Sequence, residues 1–126
     1  MAASLPKSLG FLGLGSMGKS VASTLVRKLP AGISVNVFDA SEAVTKDFAS
    51  SHEQVVEHED STGVLQNSEV TFICVPTTSV TKAILSAAPD SVVGNPLVVD
   101  LTSGAPEAVK EVAALAKEKG FDFMEA

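Results

Sequence analysis

Three glycines, Gly13, Gly15 and Gly18, stand in the spacing G-x-G-x-x-G inside "GFLGLGSMGKS", residues 10–20. An acidic residue, Asp39, follows Gly18 by 21 positions and closes the alternating run "ISVNVFD". Where a strand leads in and a helix leads out, each glycine has its own task. The first permits a tight turn, the second leaves room for an anion at the backbone, and the third lets the helix pack closely on the strand. A pyrophosphate would then face the free N–H groups of the helix start, where the helix dipole adds about half a positive charge. An acid at the end of the second strand accepts hydrogen bonds from ribose hydroxyls and repels a 2′-phosphate. Asp39 is followed by Ala40 and Ser41, with no arginine, so the spacing implies a dinucleotide site for NAD in preference to NADP.

The elements needed to position these residues are legible along the chain. Leu9 to Leu14 reads as a strand running into the glycines, and Met17, Val21, Leu25 and Leu29 recur at helical spacing until Pro30 and Gly32 stop them. Ile33 to Asp39 reads as a second strand, followed by a helix to Ser50 capped by Ser41. A weak strand over 53–58 and a short helix through Asn67, capped by Ser61, come next. "EVTFICVP", residues 69–76, is near-continuously apolar, as befits a strand buried on both faces of a parallel sheet, with Pro76 ending it. A helix over 79–88, a strand over 96–102, a helix opened by Pro106 and stopped by Gly120, and a last strand in "FDFM" complete the chain. Thr102 or Ser103 is expected to cap that last helix, and Gly10, inside the first strand, is expected to mark close packing. Strict alternation of strand and helix implies an α/β fold: a Rossmann-type, doubly wound parallel sheet with helices on both faces, in one domain spanning 1–126.

Composition narrows the partners. A net charge of −6 with only 9 Lys+Arg excludes a phosphate-neutralising nucleic-acid surface and disfavours an anionic membrane. No apolar run approaches the length that spans a bilayer. One cysteine precludes an internal disulfide, and "MAASLPKS" has no apolar or arginine-rich leader, so a cytoplasmic location is expected, with mitochondria left open. Cys74 is expected to be an inert thiol within the buried strand, and His52 and His58 surface residues without metal-ligand spacing, so no metal site is expected.

With these residues in hand, the chain resembles the β-hydroxyacid dehydrogenase family, which includes 3-hydroxyisobutyrate and 6-phosphogluconate dehydrogenases. "GFLGLGSMGKSVASTL" is similar to that family's G-F-I-G-L-G-x-M-G-x-x-M-A-x-N-L, "VNVFD" to V-x-V-Y-D, and "SEVTFICVP" to A-D-V-V-F-x-x-L-P. "LVVDLTSGAP" resembles V-x-D-x-S-T-x-x-P, and the chain then matches an alanine-rich helix and K-G-x-x-F-x-D-A. The resemblance implies a pyrophosphate loop of Gly13, Leu14, Gly15, Ser16, Met17 and Gly18, and a ribose acid at Asp39. It implies contacts of Val75 and Pro76 along the nicotinamide ribose, and of Thr102 and Ser103 near the nicotinamide. It further implies an oxidoreductase acting on CH–OH whose helical domain, carrying a substrate loop and a catalytic lysine, would follow Ala126. No catalytic residue is therefore expected within these residues. Self-association through an apolar strip left by a missing helical domain is expected. Two alternatives stand beside this reading: a free-standing NAD(P)(H)-binding or sensing module without catalysis, and the NADP-binding domain of a 6-phosphogluconate dehydrogenase-like protein.

Overall fold

Ser8–Leu12 (β1) is buried from Leu9 onward on both faces, which is what lets it stand at the centre of a sheet. The computed structural model describes residues 6–30, 32–89, 96–102 and 104–125. β1 leads to Ser16–Lys28 (α1), Ser34–Phe38 (β2), Glu42–Ser50 (α2), Val55–Glu57 (β3) and Ser61–Asn67 (α3). Val70–Ile73 (β4), Thr78–Ala87 (α4), Leu97–Asp100 (β5), Pro106–Glu118 (α5) and Asp122–Glu125 (β6) follow. The strands form a six-stranded sheet in the order β3-β2-β1-β4-β5-β6. Every pairing in it is parallel. The chain works outward from β1 to β3, then crosses back to place β4 on β1's other side. That reversal opens a crevice at the carboxyl ends of β1 and β4, where folds of this kind receive ligands.

Period-2 alternation divides the apolar residues between two cores. Phe11, Val35 and Val37 meet Ala22 and Val26 of α1 and Phe48 of α2. On the opposite face Leu12, Ile73 and Val98 meet Val64 and Leu65 of α3, Leu85 of α4, and Val112 and Ala116 of α5. Full burial of such side chains contributes about 1.5–3 kcal/mol each. Phe11 and Phe72 stack across β1 and β4, with ring centroids 5.0 Å apart. Gly10 is confined as its position in the strand suggests: a methyl there would lie 2.6 Å from Ser68 Oγ and 2.7 Å from Val64 Cγ1. A glycine is thus what allows α3 to sit against β1.

Several local expectations are corrected. β4 ends at Ile73 instead of Pro76, so Cys74 stands just past the ladder, half-buried, with its N–H donating to Leu12 O at 2.8 Å. α3 is capped by Asp60, whose Oδ1 accepts from Gly63 N at 2.8 Å, and not by Ser61. α5 is preceded by Ala105 with no side-chain cap, because the Thr102 hydroxyl is engaged elsewhere and Pro106 already removes one N–H from the first turn. Neither histidine is a free surface group. The His52 ring lies 5.0 Å from that of Phe48, and His58 Nε2 bonds Asn36 Oδ1 at 2.8 Å. Asn36, 5% exposed, donates in turn to Asn67 O and Ser68 Oγ, each at 3.1 Å, so one polar seam joins β2, the end of β3 and α3.

Candidate functional site

The glycine loop is built by contacts that only glycine permits. Gly13 has φ +96°, and its N–H donates to Phe38 O at 3.1 Å, drawing the end of β1 against β2. A Cβ on Gly13 would run into Cys74 O, and one on Gly18 into Gly13 O. Gly15 differs: nothing lies within 4 Å of its Cβ position. Gly15 is the N-cap of α1 and offers no side chain to the helix, so the N–H groups of Ser16, Met17 and Gly18 have no partner from a capping side chain. Open space beside Gly15 and an uncapped helix start together form a cradle for an anion.

Asp39 fixes the other side of that loop. Its Oδ2 accepts from Leu14 N at 2.7 Å and its Oδ1 from Ser41 N at 2.8 Å. An ionised carboxylate has about four lone-pair sites, so two remain for a ligand's hydroxyls. The Asp39 N–H donates to Thr45 Oγ1 at 3.0 Å, which ties the acid to α2. Asp39 is thus a latch on the glycine loop and does not cap α2; Ser41 does, accepting from Val44 N at 3.4 Å.

A groove of about 530 Å³ joins these parts. Eight of the residues singled out in the sequence line it: Gly13, Gly15, Ser16, Met17, Gly18, Asp39, Val75 and Pro76. Leu14 and Thr102 stand behind the lining. The Leu14 side chain is 2% exposed in the core under α1 and α2, and its N–H is held by Asp39. The Thr102 hydroxyl accepts from Val75 N at 3.1 Å and meets the Thr81 hydroxyl at 3.5 Å, while its own N–H donates to buried Asp100 at 2.9 Å. Thr102 therefore pins the loop that carries Val75 and Pro76. Ser103 lies outside the described residues. Lys19, at the start of α1, is exposed and pairs with Asp47 at 3.7 Å.

Val80 and Ile84, one turn apart on α4, complete the apolar wall together with Phe38, and Ala40 and Ser61 border it. Neither Val80 nor Ile84 belongs to the sequence motifs. Their i, i+4 spacing directly after Val75-Pro76 is the feature that could have pointed to them, since the strand's end already aimed α4 at the crevice. Cys74 also lines the groove; burial first, and then the negative charge of Asp100, push its thiol above the usual cysteine range. The thiol therefore stays protonated and is a weak nucleophile. Asp39 and Cys74 are the ionisable side chains of the lining. Among the described residues no group of three or more His, Cys, Asp and Glu could hold a metal ion, and no helix is long and apolar enough to cross a membrane. Large apolar side chains exposed among the described residues are Met17 and Val80 in the groove, and Val56 and Met124 on the edge strands β3 and β6.

The chain is similar to known proteins in sequence and fold. The chain is 29% identical over 122 residues to 2-(hydroxymethyl)glutarate dehydrogenase of Eubacterium barkeri, covering 94% of this chain and 38% of that protein. It is 27% identical over 121 residues to the mitochondrial 3-hydroxyisobutyrate dehydrogenase of Drosophila melanogaster, covering 95% and 36% respectively. The chain thus spans less than two fifths of the length of these relatives. Among solved structures, 3-hydroxyisobutyrate dehydrogenase of Mycobacterium tuberculosis with L-serine superposes with TM-score 0.80 at 26% identity, covering 97% of this chain and 40% of that one. A reductive aminase of Aspergillus terreus in complex with NADPH and ethyl levulinate superposes with TM-score 0.83 at 21% identity, covering 96% and 40%, a likeness of fold. Matched from residue 8 to residue 126 by the family model of the NAD binding domain of 6-phosphogluconate dehydrogenase, the chain belongs to that family.

Proposed function

We propose that this chain is the cofactor-binding part of a 3-hydroxyacid dehydrogenase of the 3-hydroxyisobutyrate type, and that it takes NAD(H) in preference to NADP(H). The observation that carries the proposal is the latched carboxylate of Asp39 facing the same groove as the open space at Gly15. The pyrophosphate would rest on the N–H groups of Ser16, Met17 and Gly18, held by backbone dipoles in place of lysines. The two remaining acceptor positions of Asp39 suit the 2′- and 3′-hydroxyls of the adenosine ribose, and its charge opposes a 2′-phosphate. Val80 and Ile84 would offer an apolar surface for the adenine, and Val75 and Pro76 would border the nicotinamide ribose. Thr102 acts through Val75, and Ser103 is carried on the family resemblance alone. When bound, the nicotinamide supplies the hydride acceptor for oxidation of an alcohol. A 3-hydroxy acid is the substrate class suggested by the two curated relatives. A cytoplasmic location, and a helical domain or a second copy of the chain as partner, belong to the same proposal.

Some structures with this fold carry NADPH, so both dinucleotides enter the test. Calorimetric titration should show NAD binding at least tenfold more tightly than NADP, with Asp39→Ala narrowing the ratio by weakening NAD. Tighter binding of NADP by the unaltered chain would refute the preference.

A further inference from the structure

Asp39 is a wall between two grooves. Phe38, Asp39 and Ala40 line both the cofactor groove and a second one of about 580 Å³ at the carboxyl ends of β2 and β3. The character of the second groove is the opposite of the first. Carboxylates of Asp39, Glu42, Glu57 and Glu59 line it with one ammonium, that of Lys46. Lys46 is the lysine of this lining, in the groove that shares Phe38, Asp39 and Ala40 with the first. Its Nζ lies 3.7 Å from Glu42 Oε1, one turn before it on α2, and 3.7 Å from Glu57 Oε2 on β3. Two strands of control therefore meet on one side chain: a helical neighbour and the end of an adjacent strand.

The geometry points to Glu42 and Glu57 as specificity-determining residues that hold Lys46 away from a 2′-phosphate, making Asp39 only one of three acids that set the choice of dinucleotide. This rests on the dinucleotide reading above and extends it to residues that touch no part of NAD. The exposed pairs are individually weak, because each side chain is in large part solvated and each partner has other rotamers available. Their importance is competitive. A phosphate carries about −2 charge near neutral pH, and it must win Lys46 from two carboxylates while entering a groove that, beside Thr45 and His58, is lined by the further carboxylates of Asp39 and Glu59. Exposed charges are screened over a distance of about 10 Å at 0.1 M salt, so the exclusion weakens as salt rises.

The test compares dissociation constants for NAD and NADP, measured by calorimetry at 20 mM and 500 mM NaCl, for the unaltered chain, for Glu42→Gln/Glu57→Gln, and for the same double variant carrying Lys46→Ala. The double variant should bind NADP at least fivefold more tightly at low salt and NAD within twofold of the unaltered chain. The gain should shrink at high salt and vanish with Lys46→Ala. An unchanged NADP affinity in the double variant, or a gain that survives Lys46→Ala, overturns the assignment while leaving NAD binding intact. Binding of neither dinucleotide by the unaltered chain, with native circular dichroism, overturns the dinucleotide reading and this inference together. Chemical-denaturation midpoints for the three proteins separate a lost fold from a lost contact.

Discussion

The two grooves that meet at Asp39 solve opposite problems with opposite materials. The cofactor groove is walled by glycine backbone, valine, isoleucine and proline, and has Asp39 as its one carboxylate. The groove on the other side sets four carboxylates around one lysine, with Thr45 and His58 beside them. In the first, the proposed attraction for an anion would come from peptide N–H groups at the start of α1, which no substitution of a side chain can easily remove. In the second, selection comes from side-chain charges, which single substitutions can redraw. On the proposed reading, a protein of net charge −6 would hold an anionic ligand without a basic patch, with binding and choosing assigned to different chemical groups.

The largest break in this comparison comes from the backbone side. Gly13→Ala puts a Cβ into Cys74 O at a left-handed φ of +96°. Backbone strain of about 1–3 kcal/mol adds to about 1–3 kcal/mol of overpacking. The expected outcome is a fall in unfolding free energy of about 2–6 kcal/mol, read by urea denaturation. Gly15→Ala separates binding from folding: with φ −67° and open space around it, stability should change by only a few tenths of a kcal/mol, within the usual surface range of about 0.5 kcal/mol. Dinucleotide affinity should fall at least tenfold, because the methyl occupies the anion's approach. Equal losses of stability in the two variants would erase the distinction between shaping the loop and clearing it.

A smaller effect is expected at Thr102→Val, which keeps the side-chain volume and removes the acceptor for Val75 N. The orphaned N–H is part-buried, so a loss of about 1 kcal/mol in stability follows. A several-fold weaker grip on the dinucleotide should accompany it, since the Val75-Pro76 edge of the groove loosens. The smallest effect belongs to Cys74. With its pKa raised, the thiolate fraction is depressed at any given pH and recovers only as pH climbs past the ordinary cysteine value. Alkylation by iodoacetamide at pH 8 should be slower than that of a free thiol, accelerate with pH to a later midpoint, and slow again when saturating NAD covers the groove.

Much of this was written in local sequence. The periodicity of Met17, Val21 and Leu25, the β-branched run in β2 and the apolar run into Val75 each report a backbone geometry that neighbours in sequence decide. The glycine spacing reported the loop for the same reason. What stayed hidden depends on partners far along the chain. Thr102 next to a proline-opened helix reads as a cap, and only the approach of Val75, 27 residues earlier, shows where its hydroxyl goes. His58 in "EHEDS" reads as a solvated residue, until Asn36 in β2 claims its ring. Cys74 sits in an unbroken apolar run, and the sequence contains no mark that the ladder stops one residue before it. Lys46 alone is one more charge on a helix, and the meaning of its position comes from Glu57 on the neighbouring strand.

The hydrogen bond from Leu14 to Asp39 has a kinetic consequence. Leu14 N bound to Asp39 and Gly13 N bound to Phe38 O tie the glycine loop to the end of β2 at two points. A loop tied down in this way has less chain entropy to lose on association than a free one. Affinity differences among variants of one site fall mostly on residence time, so that is the quantity in which loss of either tie is expected to show.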